Sequence, residues 1–492
     1  MSGLLMRTSI IAGQAIATAF LCSLGTLAAS EEERVILTPK PGPQPAIHGP
    51  RLFGVRPGKP FIYRIPCTGT RPMEFAVADL PDGMQVDAAS GIITGTTPAT
   101  PGEYMVTLKA SNAHGAAEKR FSIVVGDKLA LTPPMGWNSW YTWYHTVTDE
   151  KMRTAADQMV ATGMADVGYM YVSIDDCWMK QSPEGHEVRK ARLRGLDVEA
   201  VVGPTRGPKG EFLTNANFPD MKAMTDYIHS KGLRAGTYTS PGPQTCQRFE
   251  GSFEHEQQDA EQFAAWGFDF LKYDWCTYNT VYRERLKASN DELLEKQRPY
   301  RQMGEILKGL DRDIVLNLCQ YGMNDVWKWG ASVGGQCWRT TGDLGLTRGD
   351  RLPGFYKIGM ANMQHHQYAG PGAWNDPDYI LIGYVGVDPA IGFQEPKPTT
   401  LTPNEQYSYM SMWSLMASPL FFSGDMARLD EFTLNVLCNP EVIAVNQDAL
   451  GKQALPVRQT ETDLVLAKPM EDGSLAVGLF NLDESPRAIK VA

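Results

Sequence analysis

Between about residues 129 and 450 the sequence alternates short apolar runs with longer amphipathic segments, and this repetition constrains the fold more than any other feature. An apolar run followed by a helical segment is typical of a βα unit, and repeated βα units build a parallel sheet covered by helices. Helical spacing is clearest at 149–162 and 259–266. Eight runs can be counted as strands, the number that closes a barrel. The predicted strands are 135–138, 169–174, 234–239, 268–273, 314–318, 336–340, 373–375 and 419–423. The sequence therefore predicts an α/β fold with a (β/α)8 TIM barrel over residues 129–450.

Two regions with strand-like alternation flank the predicted barrel. Residues 31–127 contain segments such as 61–65 and 104–108, separated by turn sequences, which predicts a small β-sandwich. This region has no catalytic constellation, so we expect a spacer or docking scaffold rather than a carbohydrate-binding module. Residues 451–492 alternate again around the turn Glu471-Asp472-Gly473. They predict the start of a C-terminal antiparallel β domain with about three strands, either truncated or packed on the barrel.

The first thirty residues have the pattern of an export signal. Arg7 supplies positive charge, residues 10–29 form an apolar run, and Ala28-Ala29-Ser30 supplies small residues before three glutamates. We expect a signal peptide at 1–30, a periplasmic or extracellular location, and no membrane span after cleavage; an uncleaved anchor is the alternative. Of the eight cysteines, Cys22 lies in this segment, so an odd number follows it and at least one stays unpaired.

Charge and residue spacing restrict the partners. The formal net charge of -10 disfavours nucleic acid. The 11 Trp and 19 Tyr suit stacking on sugar rings, although aromatic cores are the commoner explanation. The densest histidine site, His365-His366, is expected to pack before the seventh strand, because no cluster has the spacing of metal ligands. We therefore expect no metal and no other cofactor.

Acidic residues follow four of the predicted strands directly. They are Asp175 and Asp176, Asp274, Asp343, and Asp376 with Asp378. A single acidic strand end is weak support for a site because Asp also caps helices and forms structural ion pairs. Four of them at the carboxyl ends of barrel strands, where barrel enzymes have their active sites, predict a catalytic pocket.

Two of these aspartates fit the chemistry of a retaining glycosidase. Such an enzyme needs an ionised carboxylate that attacks the anomeric carbon and a protonated carboxyl about 5 Å away. Lys272 precedes Asp274 by two residues, so both side chains project to one side of an extended strand and the ammonium helps to keep Asp274 ionised. Arg339 precedes Asp343 by four residues and can hold a sugar hydroxyl with its fork of donors.

The chain resembles the glycoside hydrolase family 27 α-galactosidases (melibiases) over roughly residues 129–480. The similarity lies in ordered motifs: Pro133-Pro-Met-Gly-Trp-Asn-Ser-Trp140, Ile174-Asp-Asp-Cys-Trp178, Phe218-Pro-Asp-Met221, Gly236-Thr-Tyr-Thr-Ser240, Leu271-Lys-Tyr-Asp-Trp-Cys276, Trp338-Arg-Thr-Thr-Gly-Asp343, Trp374-Asn-Asp-Pro-Asp378 and Val442-Ile-Ala-Val-Asn-Gln-Asp448. The stretches 80–84 and 91–95 resemble bacterial immunoglobulin-like modules that precede glycoside hydrolase barrels.

The resemblance implies specific roles. Asp274 would be the nucleophile and Asp343 the acid/base, with net retention of the anomeric configuration. Trp140 would lie under the galactose ring, and Asp175 and Asp176 would accept hydrogen bonds from the sugar's 4- and 6-hydroxyls. The other implied sugar contacts are Tyr238, Lys272, Arg339 and Asp378. A family disulfide beside the site would join Cys246 and Cys276.

Three departures from the family pattern affect the predicted pocket. Many members have Cys-Glu-Trp where this chain has Cys319-Gln320-Tyr321-Gly322, so Gln320 is expected in an altered wall near the sugar's 2-position. Tyr379 stands where many relatives have Met. The segment 141–151 has no cysteine to pair with Cys177. The pairing of five cysteines is left open: Cys67, Cys177, Cys319, Cys337 and Cys438. Among them, Cys319 and Cys337 are a candidate pair.

The leading functional hypothesis is an exo-acting, retaining α-galactosidase that removes terminal α-D-galactosyl residues from oligo- or polysaccharides. Alternatives with the same mechanism are a β-L-arabinopyranosidase or an isomaltodextranase. Asp176 favours galactose, because a bulkier acid there would crowd the 6-hydroxymethyl group. A non-catalytic carbohydrate-binding protein is the alternative from another class. The expected partner is a carbohydrate, and a homo-oligomer is left open.

Overall fold

The computed structural model describes residues 33–344, 352–388 and 392–490. Within them, strands fall into three groups along the chain: nine N-terminal strands, ten strands in the middle and three at the end. In order they are β1 (Ala46–Ile47), β2 (Leu52–Val55), β3 (Pro60–Arg64), β4 (Cys67–Thr68), β5 (Glu74–Ala78), β6 (Met84–Val86), β7 (Ile92–Thr96), β8 (Gly102–Asn112), β9 (Gly115–Val125), β10 (Met135–Asn138), β11 (Tyr171–Ser173), β12 (Arg234–Thr239), β13 (Phe270–Asp274), β14 (Val315–Cys319), β15 (Cys337–Arg339), β16 (Trp374–Asp376), β17 (Tyr384–Asp388), β18 (Gly392–Pro398), β19 (Leu420–Phe422), β20 (Leu455–Gln459), β21 (Asp463–Pro469) and β22 (Leu475–Asn481).

Thirteen α-helices lie in the described ranges, all of them after the N-terminal strands. They are α1 (Trp140–Trp143), α2 (Asp149–Ala161), α3 (Pro183–Arg189), α4 (Val198–Val201), α5 (Met221–Ser230), α6 (Glu256–Trp266), α7 (Tyr278–Ser289), α8 (Glu292–Gly309), α9 (Val326–Trp329), α10 (Gly354–Asn362), α11 (Pro403–Leu415), α12 (Glu431–Leu437) and α13 (Pro440–Asn446). Short 3-10 helices cover Tyr144–Thr146, Ala165–Val167, Gly330–Val333, Met363–Tyr368 and Met426–Arg428. Among the described residues, no helix combines the length and apolar character that crossing a membrane requires.

The N-terminal strands form the predicted β-sandwich. One sheet has the order β2-β9-β8-β5 and the other β3-β7-β6, with β1 and β4 paired beside them. In β8 every second side chain, at Val106, Leu108 and Ala110, is buried. This alternation places one face of each strand in a core that includes Phe121 and Ile123.

The middle strands form the predicted (β/α)8 barrel. Eight parallel strands follow the order β16-β15-β14-β13-β12-β11-β10-β19. A parallel bridge between Ile380, just after β16, and Phe422 in β19 links the two ends of this sheet. The strands are buried along almost their whole length because helices cover the outside of the sheet and side chains fill its interior. All eight strands lie at positions that the alternation predicted, and β13 extends to include Asp274.

The sandwich packs on the amino-terminal ends of the barrel strands. Arg56, directly after β2, forms a buried ion pair with Asp313, just before β14. Its guanidinium also donates to the carbonyl oxygens of Leu307 and Arg312, both at 3.0 Å. Arg234, the first residue of β12, donates to the Ile62 carbonyl at 2.9 Å. The module therefore covers the end of the barrel opposite the carboxyl ends of the strands.

The last three strands form an antiparallel sheet in the order β20-β21-β22. This sheet packs against α11: Ala454 donates its backbone N–H to the Leu415 carbonyl at 2.9 Å. Gly478 allows the close approach, because a Cβ there would lie 2.3 Å from the Leu415 side chain. The boundaries expected at 127 and 450 stay predictions, and the expected signal peptide at 1–30 lies outside the described residues.

Candidate active site

The carboxyl ends of the barrel strands bring most of the predicted site residues together. Register pairs Tyr238 in β12 with Lys272 in β13, and places Asp274 beside Cys319 of β14. Asp175 and Asp176 follow β11, and Asp343 lies four residues after Arg339, the last residue of β15. Parallel strands thus bring residues far apart in the chain to one pocket.

Two phenols contact Asp274, one at each carboxylate oxygen. The Tyr238 hydroxyl donates to Oδ2 at 2.9 Å, and the Tyr321 hydroxyl donates to Oδ1 at 2.7 Å. The side chain is buried, with 5% of the residue exposed. Hydrogen bonds to both oxygens fix the orientation of the carboxylate and favour its ionised form.

Burial and neighbouring charges act in opposite directions on Asp274. Burial raises the pKa of the carboxyl, the Lys272 ammonium and the two phenols lower it, and the negative charge of Asp343 raises it further. The net direction is upward, so the influence of Lys272 has the predicted sign but does not outweigh burial. The two predicted catalytic carboxyls are therefore near enough for the charge on Asp343 to disfavour the charge on Asp274.

Asp343 is much more accessible than Asp274. Its side chain is 49% exposed, whereas that of Arg339 is 3% exposed. Both terminal nitrogens of Arg339 lie 3.4 Å from the Asp343 Oδ1 atom. A half-exposed carboxyl at the pocket rim can exchange protons with water, which an acid/base residue must do.

Asp175 is held by a buried ion pair and a phenol. The Lys272 ammonium donates to its Oδ2 at 2.9 Å, and the Tyr379 hydroxyl donates to the same oxygen at 3.1 Å. Lys272 also lies 5.1 Å from the centre of the Tyr379 ring. Tyr379, which departs from the family pattern, therefore contributes its hydroxyl directly to this charged cluster.

Asp176 is fully buried and is held by backbone groups. Its Oδ1 accepts from the N–H of Cys177 at 2.7 Å, and its Oδ2 accepts from the N–H of Gln247 at 2.9 Å. Burial raises the pKa of this carboxyl to about 7, although these bonds oppose the shift. The two bonds fix the carboxyl group in place.

Asp378 leaves one oxygen without a hydrogen bond. Its Oδ2 accepts from Leu344 N–H at 2.8 Å and lies 3.0 Å from Arg339, while within the described part of the chain its buried Oδ1 has no partner. The Nε of Arg339 is likewise buried without a partner among those residues. Burial raises the pKa of Asp378 to about 6, against the lowering effect of Arg339. Unpaired buried polar atoms beside a pocket are available to a ligand.

Trp140 and Tyr144 form an aromatic pair beside β10. Their ring centres are 4.5 Å apart, and Trp140 is 9% exposed. The backbone N–H of Trp140 donates to Asn138 Oδ1 at 2.8 Å, which fixes the start of α1. An indole held this way can offer an apolar face to a sugar ring.

In the loop after β14, Gln320 contacts its own backbone turn, whereas Tyr321 contacts Asp274. Both ends of the Gln320 amide bond the backbone of Met323, at 2.6 and 3.1 Å. Those bonds hold the amide against its own turn, so a sugar contact by Gln320 stays a prediction. Sequence reasoning did not identify Tyr321 as a site residue. Its position in the Cys-Gln-Tyr-Gly segment, which departs from the family pattern, was the signal that could have identified it.

The expected disulfide is present between Cys246 and Cys276, with Cα atoms 4.7 Å apart. It lies beside the pocket, because Cys276 Sγ is 3.1 Å from the Tyr238 hydroxyl. The other cysteines of the described ranges are free thiols, so the candidate pair Cys319–Cys337 is wrong. Register explains this, since Cys337 lies opposite Asn317 rather than Cys319.

The grouping of potential metal ligands within the described residues consists of Cys246, Asp274 and Cys276. Its two sulfurs form the disulfide, so neither can act as a thiolate ligand. His365 stacks on Trp327 with ring centres 3.4 Å apart, consistent with the packing role expected for it.

The fold and the pocket together define the class of this protein: it is a glycoside hydrolase built on a (β/α)8 barrel. The family model described as Alpha galactosidase A matches residues 132–448, and the chain belongs to this family. An Ig-domain model matches residues 44–126, within the N-terminal sandwich.

Named relatives agree with this membership. An alpha-galactosidase from Cyamopsis tetragonoloba is 36% identical over 385 residues, covering 77% of this chain and 80% of that protein. One from Oryza sativa subsp. japonica is 36% identical, covering 72% of each chain. A crystal structure of a candidate alpha-galactosidase/melibiase from Bacteroides fragilis is 36% identical with a TM-score of 0.77, covering 89% of this chain and 86% of that chain.

Proposed function

We propose that this protein hydrolyses terminal α-D-galactosyl residues with retention of configuration, using Asp274 as the nucleophile and Asp343 as the acid/base. The observation that carries the proposal is the geometry of Asp274. Its carboxylate is buried, both of its oxygens accept phenolic hydrogen bonds, and the charge of Asp343 acts on it. An oriented carboxylate coupled to a second, accessible carboxyl is what double displacement requires.

The first step forms a glycosyl ester. An Asp274 oxygen attacks the anomeric carbon, the bond to the leaving oxygen breaks, and Asp343 gives that oxygen its proton. In the second step Asp343 takes a proton from water, the water oxygen attacks the anomeric carbon, and the ester bond returns its electron pair to Asp274. Two inversions give net retention.

The sugar subsite is proposed to be the group of buried residues around these two carboxyls. Trp140 would lie under the ring, and Asp175 and Asp176 would accept hydrogen bonds from sugar hydroxyls. Within the described residues, the buried Oδ1 of Asp378 and Nε of Arg339 have no hydrogen-bond partner, which supports this assignment, because sugar hydroxyls can both donate and accept. Tyr238 and Lys272 complete the subsite through Asp274 and Asp175 respectively.

We infer that galactose is preferred over the sugars that a β-L-arabinopyranosidase or an isomaltodextranase would release. Alpha-galactosidases from plants are the named relatives at 36% identity over most of their length. A β-L-arabinopyranosidase from Geobacillus stearothermophilus is 22% identical with a TM-score of 0.55, a likeness that shows the fold alone. The aspartate at position 176 also supports the galactose assignment, because a bulkier acid there would crowd a 6-hydroxymethyl group. The alternatives become outcomes of the substrate test.

Substitution of the two carboxyls tests the roles. Asp274→Asn should abolish turnover of every substrate, because the amide is a poor nucleophile. Asp343→Ala should slow natural α-galactosides by about 10²- to 10⁴-fold but spare substrates with good leaving groups, which need no proton. Rates are measured with raffinose and with 2,4-dinitrophenyl α-galactoside. Parental rates in both variants on raffinose would show that the assignment is wrong.

A panel of nitrophenyl glycosides tests the sugar. It contains the α-galactoside, β-L-arabinopyranoside, α-N-acetylgalactosaminide and α-glucoside, with NMR following the anomer released first. We expect preference for the α-galactoside and first release of α-galactose. Preference for another glycoside would show that the substrate assignment is wrong. First release of β-galactose from the α-galactoside would exclude retention.

We also propose that the protein is exported. The disulfide Cys246–Cys276 supports an oxidising compartment, and the charged and apolar pattern of residues 1–30 supports a cleaved signal. N-terminal sequencing of the secreted or periplasmic protein should begin near Glu31. We also keep the predicted domain boundaries as part of the proposal: 31–127, 129–450 and 451–492. The oligomeric state is left open, with a homo-oligomer as one alternative.

A further inference from the structure

Tyr321 occupies an unusual place beside Asp274. Its hydroxyl donates to Oδ1 at 2.7 Å, the shorter of the two phenolic bonds to this carboxylate. It comes from the loop after β14, whereas Tyr238 lies within β12. The two oxygens are therefore held from two different elements of the barrel.

A tight turn fixes the position of the Tyr321 ring. The residue has φ 65°, in the left-handed region that non-glycine residues rarely adopt, and Gly322 follows with φ 84°. A Cβ at 322 would lie 2.3 Å from the Thr340 carbonyl oxygen, so the loop contacts the end of β15 closely. The Gln320 amide closes the turn through its two bonds to Met323. Strain of this kind persists where the surrounding structure imposes it, often at functional sites.

We propose that Tyr321 is a positioning residue that holds Asp274 and stabilises its carboxylate as that group leaves the sugar in the second half of the reaction. The inference rests on the proposed function, because it requires a covalent glycosyl-enzyme. It assigns Tyr321 a step-specific role instead of general support of the pocket.

The role follows from the charge on Asp274 during the cycle. In the glycosyl ester the carboxylate charge is gone, so the phenol donates to a neutral and weaker acceptor. When water attacks, the ester C–O bond breaks, its electron pair goes to Asp274, and the water proton goes to Asp343. The returning charge strengthens the Tyr321 bond whichever carboxylate oxygen was esterified. Tyr321 therefore favours ester breakdown over ester formation.

The electrostatics of the pocket agree with this role. Tyr321 lowers the pKa of Asp274 against the opposing effect of burial. The titratable groups that act on or border Asp274 come from four barrel strands or their loops and from helix α8: Tyr238, Lys272, Cys319, Tyr321, Asp343 and, on α8, Tyr300. Loss of the Tyr321 hydroxyl should raise the pKa of the free Asp274 carboxyl. The acid limb of kcat/KM should then move to higher pH.

The test uses the full chain with Tyr321→Phe, and Tyr227→Phe as the matched control. Tyr227 also donates its hydroxyl to an aspartate, Asp157 at 2.8 Å, but on the helical surface of the barrel. With 4-nitrophenyl α-galactoside we expect Tyr321→Phe to lower kcat by about 10- to 100-fold. KM should fall with kcat, a nitrophenol burst should appear, and acid quenching should trap a hexosyl adduct on the Asp274 peptide.

Several outcomes would overturn the inference. Equal losses in kcat and kcat/KM with no burst, no adduct and an unmoved acid limb would give Tyr321 a merely structural role. The same burst in Tyr227→Phe would show an effect without specificity for the site. If Tyr321→Phe does not fold, Tyr321→Leu, which also lacks a hydroxyl donor, is measured in the same way. Accumulation of the hexosyl adduct on Asp274 would then support the inference, and its absence would overturn it.

The inference fails separately from the proposed function. If the parent hydrolyses no α-galactoside, the proposed function is wrong. If the parent turns over and Tyr321→Phe keeps its kcat, KM and pH profile, the proposed function stands and the role of Tyr321 is wrong.

Discussion

At the scale of single residues, the site concentrates carboxyls where burial disfavours their charge. Burial raises the pKa of Asp176 to about 7 and that of Asp378 to about 6. Asp274 is shifted in the same direction. A pocket that buries several carboxyls therefore reduces the stability of the folded state near neutral pH.

Asp378→Asn tests this cost. The folded pKa of Asp378 is about 6, above the value of about 3.9 for an unfolded chain. The stability contributed by its protonated form is thus fully present below about pH 4 and lost as the pH rises through 6. The unfolding free energy of the parent minus that of the variant should therefore fall between pH 4 and pH 7.

Denaturant unfolding at both pH values measures this difference. Asp311→Asn is the control, because the Asp311 side chain is fully exposed. A parent-minus-variant difference for Asp378→Asn that is constant with pH would contradict the prediction, whatever the absolute stability of the variant.

At the scale of elements, the sandwich is attached to the barrel by a buried ion pair, Arg56–Asp313, rather than by a flexible linker alone. Arg56 follows β2 of the sandwich, and Asp313 precedes β14 of the barrel. The attachment is at the amino-terminal ends of the strands, away from the pocket. This position fits a spacer or scaffold better than a module that feeds substrate to Asp274.

Arg56→Ala should destabilise the protein by about 3–5 kcal/mol, because it leaves a buried Asp313 carboxylate without its partner. Arg51→Ala is the matched control: Arg51 lies in the same module and pairs with Glu471 at 3.3 Å, but both side chains are exposed. Its cost should be at most about 1 kcal/mol. Denaturant unfolding compares them, and kcat at low temperature should be parental in both. Equal destabilisation would refute the importance of the buried pair.

At the scale of the whole molecule, binding at the pocket should stabilise the fold. A ligand that binds only the folded state contributes about 2.7 kcal/mol at 100 times its Kd. For a chain of this length that corresponds to a rise in Tm of roughly 3 °C. We expect galactose to raise Tm in the parent, and to do so less in Trp140→Ala, as measured by calorimetry.

Glucose is the control ligand, since it differs from galactose only at the 4-hydroxyl. If the buried Asp175 and Asp176 recognise that hydroxyl, glucose should raise Tm far less at the same concentration. An equal rise with both sugars would contradict recognition of the axial 4-hydroxyl by this pair.

The sequence by itself determined the barrel and most of the pocket. Apolar runs of strand length followed by helical segments fixed all eight strands, because burial on both faces requires such runs. Polar residues at their carboxyl ends then indicated Asp175, Asp274 and Arg339, since parallel strands all direct those ends to one side.

Only the tertiary structure decided which partners these residues have. The bond from Tyr321 to Asp274, the bond from Tyr379 to Asp175 and the turn that holds Gln320 depend on loop conformations set by contacts between strands. Sequence also left Cys319 and Cys337 as a candidate pair, which the strand register excludes. Periodicity encodes which face of an element is buried, whereas side-chain partners depend on register and loop geometry that no local pattern records.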